Sequence, residues 1–511
     1  MQTLYSFPRR ICFLILLSLM FSGCAVGPVY QKPVVSLPAS WQAMQPHEGK
    51  VHTLIGWWDQ FHDEALTTFL RASENDSPTL SQAWARISEA RASLASKKAT
   101  NWPSITGKAS LIRSSSSFGA GSVSTSLTPA PALTSTPTTS VSNAPSDMLL
   151  STTQSVAVDA SWEIDLFGSV RYSTQSAQAL IEARVDNWHE ARVSLAAEVA
   201  TTYINYRACQ LQVAYYTNEM QSRQETARLI EKAAIAGFSS PSELALGQAS
   251  AASASALVVN QQAQCDITLK SLVALTGLTE VDVINVLSKT PIKLPVPATF
   301  SVTTLPVTLI SQRPDLAAAE RSLAAASADI GLAEANRYPR LSLTGSISSL
   351  QLTTLGSTLR STPWSFGPAL TVPIFDGGLR SANVRATEAR YEQALATYKQ
   401  AVRNAVKEVE QALVQLNSLT RRESDVRTAS DRYRTVYKAT EINWRAGGAN
   451  LLSLEDTRRS LITANINLIN LQRDQIQNWI VLYKALGGGW RERYTTPVVD
   501  SNASTSLPGE K

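Results

Sequence analysis

Val156-Ala-Val-Asp-Ala-Ser-Trp-Glu-Ile-Asp-Leu166 alternates between two kinds of side chain. Val156, Val158, Ala160, Trp162, Ile164 and Leu166 fall on one side of an extended chain, and Asp159, Ser161, Glu163 and Asp165 fall on the other. A period of two marks a β-strand with one apolar and one polar face. Three further segments carry it. Ile105 to Leu111 sets Ile105, Gly107, Ala109 and Leu111 against Thr106, Lys108 and Ser110. Leu341 to Ile347 sets Leu341, Leu343, Gly345 and Ile347 against Ser342, Thr344 and Ser346. Trp364 to Ile374 lines up Trp364, Phe366, Leu370, Val372 and Ile374. The expected strands are 104–113, 154–167, 340–350 and 364–375, each about as long as a tilted transmembrane strand. One-sided polarity suits a soluble sandwich or a barrel with lipid outside and water inside.

The N-terminus tips that choice. Arg9 and Arg10 precede an apolar run, Ile11 to Phe21, which is too short to span a bilayer. Residues 1–23 therefore read as a signal peptide. Phe21-Ser-Gly-Cys24 looks like a lipobox, in which Cys24 receives a diacylglycerol thioether and an N-acyl chain. Ala25 at the next position favours sorting to the outer membrane. No later stretch is apolar over the length a spanning helix needs, so a membrane span would have to be a closed β-barrel. Four strands cannot close a barrel with a lumen, because about eight are needed merely to enclose packed side chains. Three chains would supply twelve.

Most of the remainder reads as helix. Arg171 to Ala236 lacks proline, Gly237 to Pro241 breaks it, and Ser242 to Leu275 runs back. Leu379 to Ala446, Gly447–Gly448 and Leu451 to Leu486 repeat that plan. Ala236–Gly237 recurs as Ala446–Gly447, Glu198–Val199 as Glu408–Val409, and Gly277 as Gly487, all at one and the same offset. Such a constant offset points to an internal duplication. The organisation expected is an N-terminal segment, 24–62, and two repeats, 63–288 and 289–490, followed by a disordered tail, 491–511. The repeats contain the helix hairpins 171–278 and 378–487. Long helices with many small residues favour coiled-coil packing. The Ser/Thr/Pro-rich stretch from Ser114 to Leu150 reads as an external loop.

Composition narrows the function. A net charge of +5 over 511 residues gives no sign of nucleic-acid binding. His47, His52, His62 and His189 lack zinc-ligand spacing, and no nucleophile elbow or phosphate loop is present, so neither a metal site nor an enzyme is expected. Cys209 and Cys265 lie at similar heights on the first hairpin. Two separately buried thiols are favoured over a disulfide, although an oxidising compartment leaves the bond open.

Several motifs, taken in order, resemble the TolC-like outer-membrane efflux factors, specifically the NodT-type lipoproteins of RND tripartite systems. They are Cys24-Ala-Val-Gly-Pro-Val-Tyr30, Trp57-Trp-Asp-Gln-Phe61, Trp162-Glu-Ile-Asp-Leu-Phe-Gly168 and Arg313-Pro-Asp-Leu316 with Ala319–Glu320. Tyr338–Pro339, Pro373-Ile-Phe-Asp-Gly-Gly378 and Tyr483-Lys-Ala-Leu-Gly-Gly-Gly-Trp490 complete the set. The resemblance implies an α+β membrane protein, a homotrimer with a twelve-stranded outer-membrane barrel continuous with a periplasmic α-helical barrel. That duct would be closed at its periplasmic tip and opened by an adaptor protein and an inner-membrane transporter.

The same resemblance makes Leu452 and Asp456 constriction residues, with Arg459 as a tie. Trp444 stands where the family usually has a tyrosine, and it donates only through N–H. The turns at Gly237–Pro241 and Gly447–Gly448 would dock the adaptor. A type I secretion duct and a metal-ion duct share the fold, and a non-conducting structural lipoprotein would need only the helices. After signal cleavage only Met44, Met148 and Met220 remain, which disfavours copper export. The exported compound is not legible.

Overall fold

The computed structural model describes residues 26–36, 38, 40–43, 54, 56–117, 148–296, 313–354 and 357–489. The signal segment, Cys24, residues 118–147 of the expected loop and the tail 491–511 lie outside the described residues. The chain divides into two compact units.

The first unit (1–30, 92–178 and 325–391) holds an antiparallel sheet. Its strands are β1 (Ser104–Ser117), β2 (Met148–Ile164), β3 (Arg340–Thr354), β4 (Ser357–Ser361) and β5 (Trp364–Thr371). β1 pairs with β2, β2 with β3, and β3 with both β4 and β5. The register aligns Gly107, Val158, Ile347 and Trp364 in one row across the sheet. The adjacent row is Thr106, Asp159, Ser346 and Ser365. Apolar and polar side chains therefore take opposite faces, as the alternation requires. On the polar face Lys108 meets Asp159 at 2.9 Å, and the hydroxyls of Ser110 and Ser155 and of Ser346 and Ser365 pair across strands. The apolar face is uncovered in the single chain: Ile105, Val156, Ile347, Trp364 and Phe366 are all more than half exposed.

The strands differ from the expected ones at their ends. β1 and β3 run four residues further, and β2 starts six residues earlier, because pairing carries them past the alternating stretches. Part of the Ser114–Leu150 segment is therefore strand. The fourth expected strand is β5, which ends at Thr371; β4, set off from it at Thr362–Pro363, where proline has no N–H for the ladder, was not expected. Leu166, Val372 and Ile374 continue the alternation but lie beyond the strand ends.

The second unit (31–91, 179–324 and 392–511) is helical. In chain order the helices of the protein are α1 (Glu64–Asn75), α2 (Pro78–Ala99), α3 (Ser169–Ile235), α4 (Pro241–Thr276), α5 (Glu280–Ser288), α6 (Pro314–Ala335), α7 (Leu379–Arg445) and α8 (Leu451–Ala485). α3 and α7 have 67 residues each, and their first residues, Ser169 and Leu379, are separated by the repeat offset. Gly277, at positive φ, caps α4. Within this unit Trp57 stacks on Tyr483, and Tyr203 donates to Asp63 while accepting from the buried Arg207. No helix among the described residues is long and apolar enough to cross a membrane.

One expectation is overturned. Cys209 of α3 and Cys265 of α4 are bonded at 2.01 Å rather than being separate buried thiols. The hairpin register brings their Cα atoms to 5.6 Å, within bonding reach.

Candidate functional site

The two helix turns are built alike. At the end of α3, Gly237 takes φ 80°, its N–H donates to Ala234 O, and the N–H of Phe238 donates to Ala233 O. At the end of α7, Gly447 takes φ 78°, its N–H donates to Trp444 O, and the N–H of Gly448 donates to Asn443 O. Only glycine enters that backbone region without a Cβ penalty, and each pair of bonds satisfies carbonyls at a helix end. The following helices start on caps. The Ser240 hydroxyl accepts from Glu243 N–H, the Glu243 carboxylate accepts from Ser240 N–H, and Pro241 is the first residue of α4. Asn450 Oδ1 accepts from Ser453 N–H at 2.8 Å to open α8. Ile235, Phe238 and Ile442 near the turns are exposed.

Behind the turns all four long helices meet in one apolar cluster. Ile230, Leu451 and Leu454 are buried, with Leu244, Tyr437 and Trp444 packed against them. Trp444 thus takes a packing position.

α8 shows two faces within three turns. Leu452, Asp456 and Arg459 share its exposed face, with Asp456 and Arg459 3.8 Å apart. The other face carries Glu455 and Arg458, both buried. Arg458 lies 3.0 Å from Glu219 of α3 and donates to Glu455, Ser222, Thr226 and the Tyr437 hydroxyl. Arg223 reaches Glu455 at 3.2 Å and Glu219 at 3.1 Å, and Ser250 of α4 donates to Glu455. Two carboxylates and two guanidiniums therefore balance in a largely buried interface between the hairpins. Burial pushes the Glu219 carboxyl above its usual range, against the pull of Arg458 and Arg223.

Of the expected gate residues, Leu452, Asp456 and Arg459 lie together on the exposed side of α8, whose inner side carries this cluster, whereas Trp444 of α7 packs in the apolar cluster. Sequence reading missed Glu219, Arg223, Glu455 and Arg458. Their signal was present as opposite charges at i, i+4 and i, i+3, a spacing that solvated surface pairs share. Among the described residues no cluster of His, Cys, Asp or Glu could hold a metal ion.

Comparison with known proteins gives a consistent picture. The family model "Outer membrane efflux protein" matches residues 70–278 and 305–488. The solvent efflux pump outer membrane protein SrpC of Pseudomonas putida is 29% identical over 488 residues, covering 92% of this chain and 97% of that protein. The cation efflux system protein CusC of Escherichia coli O6:H1 is also 29% identical, covering 93% and 98%. The structure of the outer-membrane channel OprN aligns with TM-score 0.75 and 27% identity, over 91% of this chain and all of that one.

Proposed function

The chain belongs to the outer membrane efflux protein family, and on that premise we propose that it is the gated exit duct of a tripartite efflux system. The observation that carries this reading is the sheet: its apolar face is uncovered, and β1 and the β4/β5 pair form edges with no further partner among the described residues. Such edges are a liability unless another chain closes them. Three copies, each giving four strand positions, would make a twelve-stranded barrel with lipid on the apolar face and water on the Ser/Thr face. The repeat reading is supported by the matched turns and by two helices of equal length that start at the repeat offset. Acyl chains on Cys24 would anchor the trimer.

Conduction is passive, with no reaction catalysed. The long helices extend the duct through the periplasm, where an adaptor protein docks on the exposed turns at Gly237–Pro241 and Gly447–Gly448. An inner-membrane transporter of RND type loads the duct. A ring of three Leu452 side chains dewets the entrance, and a ring of Asp456 selects cations. Arg459 ties that ring through a charge-assisted contact. One relative is named for solvents and another for cations, so the choice of cargo is assigned to the transporter.

Planar-bilayer conductance of the purified trimer tests the reading. Wild type should pass small, mostly closed currents, and Asp456→Ala and Arg459→Ala should raise them several-fold. Large, unchanged currents would move the gate elsewhere. Absence of conductance in every variant of a folded trimer would remove the duct reading altogether.

A further inference from the structure

The two hairpins are held by different means. Before Trp479, α8 buries Leu451, Leu454, Leu461, Leu471 and Ile476. α4 buries Gly247, Ala254, Val258 and Cys265 along the corresponding stretch, nothing larger than valine before Leu269. Helix approach there is close: a Cβ on Gly247 would stand 3.0 Å from Ile230 Cδ1. No charged residue occurs between Glu243 and Asp266. The apolar area that α4 can remove from water is therefore small, and hydrophobic stabilisation scales with that area. The disulfide sits in this interface. In the second hairpin the equivalent positions, at the repeat offset, are Leu419, which is buried, and Gln475, which donates to Glu423. There packing and a hydrogen bond occupy the place of the covalent tie.

Both cysteines are 7% exposed, which shuts the folded pair away from any protein active site. The bond closes a sequence separation of 56 residues, and the Gly237–Pro241 turn lies between its two cysteines. We propose that Cys209 and Cys265 are oxidised by a thiol–disulfide oxidase on the newly exported chain, after the α3–α4 hairpin forms and before its sulfurs are covered, and that this bond replaces the packing α4 lacks. One cysteine thiolate attacks the oxidase disulfide and displaces one of its thiolates. The second thiolate then attacks the mixed disulfide, forming the Cys209–Cys265 bond and releasing the oxidase as a dithiol. Two electrons and two protons leave the chain, and the oxidase accepts both.

The proposal rests on export, which is part of the reading above, but not on conduction. Its first test is alkylation of the denatured protein with a maleimide-polyethylene glycol, after acid trapping from cells. Wild type should take up no label before reduction and two after it. Cells lacking the periplasmic dithiol oxidase should show doubly labelled chain and a several-fold loss of trimer, both reversed by cystine in the medium. Free thiols in the mature wild type would overturn the proposal. Full oxidation without the oxidase would overturn its enzymatic step. The packing argument is tested by Cys209→Ala/Cys265→Val, which should lower the melting temperature of the trimer by several degrees. A wild-type melting temperature and yield in that variant would overturn it. These readouts stand even if the trimer conducts nothing, which separates this inference from the duct reading.

Discussion

Arg458 of α8 stands 3.0 Å from Glu219 of α3 with its side chain almost wholly buried, while Arg459, the next residue, is three-quarters exposed and 3.8 Å from Asp456. One turn of one helix thus carries two ion pairs of very different worth. In the buried interface a charge whose partner leaves is poorly solvated, whereas on the surface water and salt replace the partner at little cost. The inner pair therefore belongs to stability, and the outer one contributes little to it and is left for the proposed gate.

Arg458→Met should cost about 3–5 kcal/mol, because it leaves Glu219 and Glu455 with one compensating cation, Arg223. Denaturant unfolding of the detergent-solubilised trimer, followed by circular dichroism, reads this directly. Adding Glu219→Gln should recover part of the loss, since it removes one stranded charge. A single variant with the wild-type midpoint would refute the assignment.

Arg459→Ala should behave in the opposite way. Its unfolding midpoint should shift by no more than about 1 kcal/mol, the worth of an exposed pair. Its open probability in a bilayer should still rise. If stability falls as far as in Arg458→Met, the outer pair is structural and the division between the two faces of α8 is wrong.

A pH dependence follows from His189 of α3. Burial, helped by the nearby Arg192 cation, lowers its pKa from 6.5 to about 4. The folded state therefore holds the ring neutral where the unfolded chain would protonate it. Its contribution is fully present above pH 6.5 and is lost as pH falls from there towards 4. The melting temperature should drop across that window, and His189→Gln should flatten the drop relative to wild type. Identical pH profiles for the two proteins would show that other groups control it.

The strands were legible because their two faces meet different surroundings, so Val156 to Leu166 announced itself by alternation alone. Their ends were not, because Ser114 to Ser117 and Met148 to Thr153 are strand only through the partners they pair with. The helix ends could be placed within a residue or two, since Gly237, Pro241 and Gly447 act locally. The Cys209–Cys265 bond needed a distance between helices that height along a hairpin does not supply. The outward row Leu452, Asp456 and Arg459 could be found by spacing. That Glu455 and Arg458 turn inward could not, because it depends on Glu219, far away in the chain.

The sheet supplies the sharpest test of the barrel. Ile347 and Ser346 are neighbours in β3, yet Ile347 shares the row of Val158 and Trp364, and Ser346 shares that of Asp159 and Ser365. If lipid covers the apolar face, an arginine at 347 must lose its hydration or drag water into the hydrocarbon. That costs about 2–4 kcal/mol near the midplane of a barrel. An arginine at 346 would then face the lumen, stay wet, and add three positive charges to a trimeric channel. Ile347→Arg should therefore lower the amount of heat-modifiable trimer recovered from outer membranes. Ser346→Arg should assemble normally and shift the reversal potential towards anion selectivity. Equal assembly of both variants would show that the exposed apolar face is not the lipid face, and the twelve-stranded barrel would lose its main support.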